Sequence, residues 1–312
     1  MKNLPRFSRP MFGASLFAIA ILLPSPASAD FLVVSQNALH LGQGSHGSAT
    51  YIADKNVFIR GLGHWPGNAV PQVTFLQEVM VQSTEPDVAP PGGVARFSAL
   101  KGNSSYVERY GDLFLNDAGG HAAILCHADT AGLVSTGAVV QRPPEATLIS
   151  DNSGGSAKLV WFLDYHATFG KGGPAGRRAE IAELGNIVRK LTAAIPAGCP
   201  ATARATVIVG DWNMDAGDAS IQQLAANAGF AHLAFTPNVK TSLNAQGVLA
   251  SRYDHFVYDD TLVQVTLATL PAQAACGTSL TIVSGVLTPA SYPAFRKNCS
   301  DHVGIAAIVK VR

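Results

Sequence analysis

The chain has 312 residues, of which 47% are hydrophobic and 14% charged, and its 22 basic and 21 acidic side chains give a formal net charge of +1. That length and apolar content are enough for one large buried core. The near balance of charge excludes a protein that coats nucleic acid through a global positive field, so any nucleic-acid contact has to come from a local cationic groove or a bound metal ion.

In chain order, residues 1–29 read as an export signal. Lys2, Arg6 and Arg9 precede an apolar stretch from Met11 to Leu23, and Pro24-Ser25-Pro26 leads to Ala27-Ser28-Ala29. The small residues suit a signal peptidase, and the apolar stretch is too short to cross a bilayer, which takes about 20 residues. Cleavage before Asp30 removes three basic side chains and no acidic ones, leaving 19 basic against 21 acidic and a net charge of −2. The expected product is secreted, extracellular or periplasmic, with residues 30–312 forming a single α/β domain.

Within that domain, short β-rich runs recur at Phe31 to Ser35, Val73 to Leu76, Ala122 to Cys126, Gly137 to Gln141, Leu159 to Tyr165, Thr206 to Val209, Asp254 to Tyr258 and Val303 to Val309. Several are apolar throughout, as strands buried on both faces are. A helix is predicted from Arg178 to Ala194, with Ile181, Leu184, Val188 and Leu191 on one stripe, and a second from Ala219 to Ala228, ended by Gly229. The Pro- and Gly-containing stretches Glu85 to Gly93 and Pro143 to Gly155 read as surface loops. Four cysteines, Cys126, Cys199, Cys276 and Cys299, allow three pairings in an oxidising compartment. A Cys276–Cys299 bond would clip a Gly- and Pro-containing excursion.

The informative feature is where polar side chains interrupt the apolar runs. Asn37 follows the first strand and Glu78 the second, while His166 ends the run through Tyr165. Asp211 and Asn213 follow Val207-Ile208-Val209-Gly210, and Asp301-His302 opens the last strand. Taken singly, each has a plain reading as a turn former or strand-entry residue. Together, five strands each carry a metal-ligating or proton-transferring group to a strand boundary, and carboxylate plus amide oxygens are the donor set a hard cation such as Mg²⁺ prefers.

Gln77-Glu78, Gly210-Asp211-Trp212-Asn213 and Ser300-Asp301-His302, in that order, resemble the three signature motifs of the endonuclease/exonuclease/phosphatase superfamily. The resemblance implies a four-layer α/β sandwich of two central β-sheets flanked by helices, with a divalent-metal phosphoester site at their common edge. Ser105-Tyr106-Val107-Glu108-Arg109-Tyr110 is similar to a segment of the deoxyribonuclease I family, as are Tyr253-Asp254 and Arg142-Pro143-Pro144. By that resemblance Tyr106 contacts DNA, Glu108 supports His166, Asp254 supports His302, and Arg142 neutralises a phosphate. Each carboxylate would fix its histidine's tautomer and raise its basicity.

The implied enzyme is a secreted endonuclease that hydrolyses DNA to leave 5′-phosphates. Mg²⁺ or Mn²⁺ is held by Glu78 with Asn37 and Asp301, His302 acts as base and His166 as acid, and Asp211 and Asn213 position the phosphate or a second ion. The chain also departs from that family. Met80 stands where the family has a groove-entering Arg, Ala216 and Ser251 stand where it has a disulfide, and its structural Ca²⁺ sites do not carry over. A sphingomyelinase or phosphoinositide phosphatase on the same scaffold, with an apolar hairpin at Thr281 to Tyr292, is the alternative substrate reading. A binding protein or effector that has lost catalysis is the alternative in kind.

Overall fold

The computed structural model describes residues 30–41, 49–62, 70–80, 94–103, 106–117, 119–153, 156–170, 172–268, 270–283 and 285–312. The expected export signal and the expected 85–93 loop lie outside these. Among the described residues no helix is long and apolar enough to cross a membrane.

Two β-sheets carry the fold. The larger runs, in spatial order, β14 (Leu270–Ala275), β15 (Thr278–Val283), β16 (Val286–Pro289), β17 (Ile305–Val311), β1 (Asp30–Leu41), β2 (Gln72–Met80), β4 (Tyr106–Asn116) and β3 (Val94–Asn103), with β13 (Val263–Leu267) also paired to β17. The smaller runs β5 (Ala122–Ala128), β6 (Glu145–Asp151), β7 (Lys158–His166), β8 (Thr206–Asp211), β12 (Asp254–Asp259) and β9 (Leu233–Thr236). A short pair, β10 (Ser242–Leu243) and β11 (Leu249–Ser251), stands apart.

The sheets pack face to face because alternate residues on their central strands are large and apolar. Phe162 of β7 meets Phe31 of β1 and Phe75 of β2 at 5.7 Å between ring centroids, and all three are fully buried. Each such side chain contributes roughly 1.5–3 kcal/mol by leaving water. The outer face of the smaller sheet is covered by α2 (Gly173–Ala193) and α3 (Ala219–Ala228), whose Ile181, Leu184, Val188, Leu191, Ile221 and Leu224 are buried against Trp161, Leu163 and Ile208. On the larger sheet α1 (Ala49–Leu62) packs against α4 (Tyr292–Asn298), with the Phe58 and Phe295 rings edge to face at 5.3 Å. This is the two-sheet α/β sandwich expected from the motifs.

Four local expectations change. The run Gly137 to Gln141 is irregular chain, not a strand. The expected loop from Pro143 to Gly155 contains β6, buried at every position from Glu145 to Asp151. Its pairing on both sides, with β5 and β7, outweighs the proline and glycine signals on either side, and those mark its ends. The last strand begins at Ile305, because Ser300 to Gly304 is bent around the site described below. In α2 the helix starts at Gly173, five residues before the predicted Arg178, with a proline in its first turn. The cysteines pair as Cys126–Cys199 and Cys276–Cys299, with Cα separations of 5.2 and 5.8 Å, and the second pair brackets β15, β16 and α4.

Candidate active site

The smaller sheet delivers three functional side chains by register alone. His166 at the end of β7 is the parallel partner of Asp211 at the end of β8, and Asp211 is the antiparallel partner of Asp254 at the start of β12. Three neighbouring strands therefore present His166, Asp211 and Asp254 at one edge. Gly210 permits this approach. Its φ is +140°, and a Cβ there would stand 2.0 Å from the Tyr165 carbonyl oxygen, so only glycine fits beside β7.

The larger sheet delivers its groups through a break in register. Asn37 pairs with Gln77 and Leu41 with Val79, so residues 38–40 of β1 bulge opposite the single residue Glu78. Leu39, His40 and Glu78 all have φ between +45° and +58°. Asn213, across the site, has φ +45°, so four of the five described non-glycine residues with positive φ flank this one edge. Backbone in this region costs of order 1–3 kcal/mol per residue and persists only where the surroundings fix it. Here the fixing group is Lys55 of α1, itself buried, whose Nζ donates to the Leu39 carbonyl at 2.6 Å. Gln77 ties the sheets together by donating to Ser35 Oγ at 3.1 Å and to Asp164 Oδ1 at 2.5 Å.

At the centre lies Asp211 Oδ2. It accepts a hydrogen bond from Asn37 Nδ2 at 3.0 Å, and it stands 3.7 Å from His166 Nε2 and 3.5 Å from His302 Nε2. The Asn37 amide also donates to Glu78 Oε1 at 3.0 Å, while its oxygen accepts from the Leu39 N–H, so it joins the two carboxylates and caps the bulge at once. Asp254 Oδ2 lies 2.8 Å from His302 Nδ1, which leaves Nε2 of that ring toward Asp211. Ser300 positions this segment, donating to the Asn37 carbonyl at 2.6 Å and accepting from the His302 N–H at 3.0 Å. Burial alone would lower the affinity of His302 for a proton, but the charges of Asp211, Asp254 and Asp301 outweigh it and hold the imidazolium well above the usual histidine range.

His166 has different company. Arg142 Nη1 lies against its ring, 2.8 Å from Nδ1 and 3.1 Å from Nε2, and Glu78 Oε1 is 3.7 Å from Nε2. The expected Glu108–His166 pair and the Tyr106 contact concern side chains outside the described ones; their backbone is described, with Glu108 opposite Met80 in the β2–β4 ladder. Asn213 turns inward, its N–H on Asp211 Oδ1 at 2.8 Å and its amide on the Ala167 carbonyl at 3.0 Å. Asp301 has a buried Oδ1 with no hydrogen-bond partner.

This donor set fits a divalent cation. Ligating atoms of Glu78, His166 and Asp211 all lie within 4.8 Å of one another, as do those of Asp211, Asp254 and His302. Four carboxylates, Glu78, Asp211, Asp254 and Asp301, the last with an unpartnered oxygen, gather around one edge and leave negative charge beyond what Arg142 and the His302 imidazolium offset. Sequence reasoning missed His40, whose Nε2 lies 3.1 Å from Glu78 Oε2 and whose N–H donates to the same oxygen at 3.1 Å. Its signal was a second imidazole three residues after Asn37, at a position that an uninterrupted strand would not turn toward Glu78.

No protein-family profile matches this chain, and no curated protein sequence matches it. Solved structures do. An endonuclease/exonuclease/phosphatase family protein from Bacteroides thetaiotaomicron superposes with a TM-score of 0.56 at 13% identity, over 91% of this chain and 98% of that one. The human Nocturnin catalytic domain, solved with a bound sulfate anion, gives 0.54 at 13% identity, over 91% and 96%. A mannosyl-6-phosphatase from B. thetaiotaomicron gives 0.54 at 14%, over 90% and 99%. The chain has the endonuclease/exonuclease/phosphatase fold.

Proposed function

We propose that this protein is an exported, divalent-metal-dependent phosphodiesterase, and that its substrate is DNA, cut endonucleolytically to leave 5′-phosphates. The observation that carries the chemistry is the shared carboxylate: two imidazoles, His302 and His166, both face Asp211 Oδ2, and one of them is backed by Asp254. A base and an acid held on either side of one anionic point are what in-line displacement at phosphorus requires.

In this reading a cation on Asp211 and Asp301 would offset the carboxylate charge that otherwise keeps His302 protonated. His302, with Nδ1 held by Asp254, then takes a proton on Nε2 from the attacking water. The water oxygen bonds to phosphorus as the P–O3′ bond breaks, and His166 gives its proton to the departing 3′-oxygen. Arg142 beside His166 pairs with the phosphate, and Asn213 and Asp211 hold the geometry. The cation that Glu78 and Asp211 would hold, with Asn37 fixing both carboxylates and Asp301 as a further donor, is Mg²⁺ or Mn²⁺. When bound it polarises a non-bridging phosphoryl oxygen. Tyr106 remains the proposed DNA contact and Glu108 a proposed support for His166. The paired cysteines support export to an oxidising compartment, in keeping with residues 1–29 as the signal.

The lipid alternative loses its main support. In the hairpin of β15 and β16 the apolar residues Ile282, Val286 and Leu287 are buried, and Val283 alone of that group is exposed, at 57%. One valine gives little to insert into a membrane. The test is a parallel assay with Mg²⁺ or Mn²⁺ on supercoiled plasmid, sphingomyelin, a phosphoinositide and a sugar phosphomonoester. Nicking of plasmid with no turnover of the others is the expected result; turnover of a phosphomonoester with intact plasmid would move the protein to the phosphatases.

A further inference from the structure

Just beyond His166 the chain holds an aromatic ring out of the protein. Among the described side chains Phe169 is the only aromatic that is mostly exposed, at 69%. It follows His166 by three residues, so the two backbones are within about 11 Å of each other, a distance that a flanking nucleotide covers. A lone exposed apolar side chain needs no explanation by itself, but this one is fixed in place. The Arg177 guanidinium lies over one face of the ring, 5.8 Å from its centroid, and Arg177 Nη1 donates to the Thr168 carbonyl at 3.5 Å. Thr168 Oγ1 donates to the buried Glu180 of α2 at 3.3 Å, and the Asn213 amide donates to the Ala167 carbonyl at 3.0 Å. Both residues between His166 and the ring are thus tied to α2 or to the active edge. With one face against the guanidinium and most of the side chain in water, the other face of the ring is open.

We propose that Phe169, braced by Arg177, is a stacking platform for the base of a nucleotide next to the scissile phosphate, and that the strand cut here is unpaired at that point. The inference rests on the nuclease reading above and narrows it to single-stranded or locally opened DNA. Every base has a π-face, so such a platform grips nucleotides without reading their sequence. In a duplex both faces of a base are covered by its neighbours, and only an unpaired base can take the place opposite Arg177. The guanidinium steadies the ring by a cation–π contact and adds positive charge beside the strand.

The test uses a single-stranded DNA oligonucleotide with one cleavable linkage, the same strand lacking the base on one or the other side of that linkage, and its duplex, all with Mn²⁺. The unaltered protein should cut the single strand at a lower KM than the duplex, and loss of the base on one side should raise KM ~10-fold or more. Phe169→Ala should raise KM for the intact single strand by a similar factor with kcat nearly unchanged. Removing the base should then add little, because the two changes delete one contact. Phe169→Trp keeps a platform and should keep a low KM.

An unchanged KM in Phe169→Ala overturns the platform and leaves the nuclease reading standing. So does a loss in kcat alone, a loss that adds in full to that of the missing base, or a duplex cut at the lower KM. An unaltered protein that cuts neither form of DNA defeats the nuclease reading and the platform with it.

Discussion

The two sheets meet at the same edge but bring their side chains there by opposite means. The smaller sheet works by regularity: His166, Asp211 and Asp254 are register partners on three successive strands, and any chain with that ladder would align them. The larger sheet works by interruption, with three residues of β1 set against one of β2 and left-handed backbone on both strands. Regular pairing makes half of the site inexpensive and rigid. The other half is strained and depends on a distant helix for support, so its failure should cost function before stability.

Substitutions on the two halves should differ accordingly. The largest effect belongs to the ladder. Asp211→Asn keeps the shape but removes the charge shared by both histidines, and plasmid nicking should slow by roughly a thousandfold with the protein still folded by circular dichroism. Asp254→Asn weakens the hold on His302 Nδ1 and should cost about a hundredfold in the same assay. If either retained full activity, the ladder would be scaffolding and not machinery.

A smaller effect is expected at the bulge. Lys55→Met fills the same space but cannot bond the Leu39 carbonyl, so the rate should fall about tenfold. The Leu39 carbonyl left without its donor costs about 1–3 kcal/mol, and the melting temperature should fall by a few degrees. A large drop in melting temperature with unchanged turnover per folded molecule would make Lys55 a purely structural residue.

The smallest effect lies outside the site and serves as a control. Asp218 caps α3 by accepting from the Ser220 N–H, and the Arg178 guanidinium, with that cap, lowers its carboxyl to about 2. Because the folded-state value is depressed, its stabilisation is fully present above the unfolded carboxyl range near 4 and fades as pH falls through about 2. Asp218→Ala should therefore cost about 1 kcal/mol at neutral pH, mostly the cap, since Arg178 is half exposed. Urea melts at pH 7 and pH 2 check this: the difference between the two proteins should shrink at the lower pH, and activity at pH 7 should be unchanged.

The same contrast explains what could be read from the sequence. Gly210-Asp211 and Asp254 stand at the ends of apolar runs whose period and flanking residues give away the strands, so their edge positions were legible without coordinates. The helix stripe of Ile181, Leu184, Val188 and Leu191 was legible for the same reason. His40 was not, because the bulge that turns it toward Glu78 arises from pairing with β2 and from Lys55, both remote in sequence. The strand β6 was hidden by the prolines and glycines at its ends. Helix α1 has no strong apolar stripe, and its role in holding the bulge emerges only in three dimensions. The Arg142–His166 contact was likewise invisible, since sequence reasoning sent Arg142 to a phosphate and paired His166 with Glu108.

The central claim is that His302, set between Asp254 and Asp211, drives hydrolysis of a phosphodiester. The most direct measurement is the rate of supercoiled-plasmid nicking with Mg²⁺ or Mn²⁺ by the unaltered protein and by His302→Ala, with the cut ends tested for ligation. The account predicts metal-dependent nicking that leaves 5′-phosphate ends sealable by ligase, and a loss of about two to four orders of magnitude in the variant. Nicking at an undiminished rate by His302→Ala would contradict it.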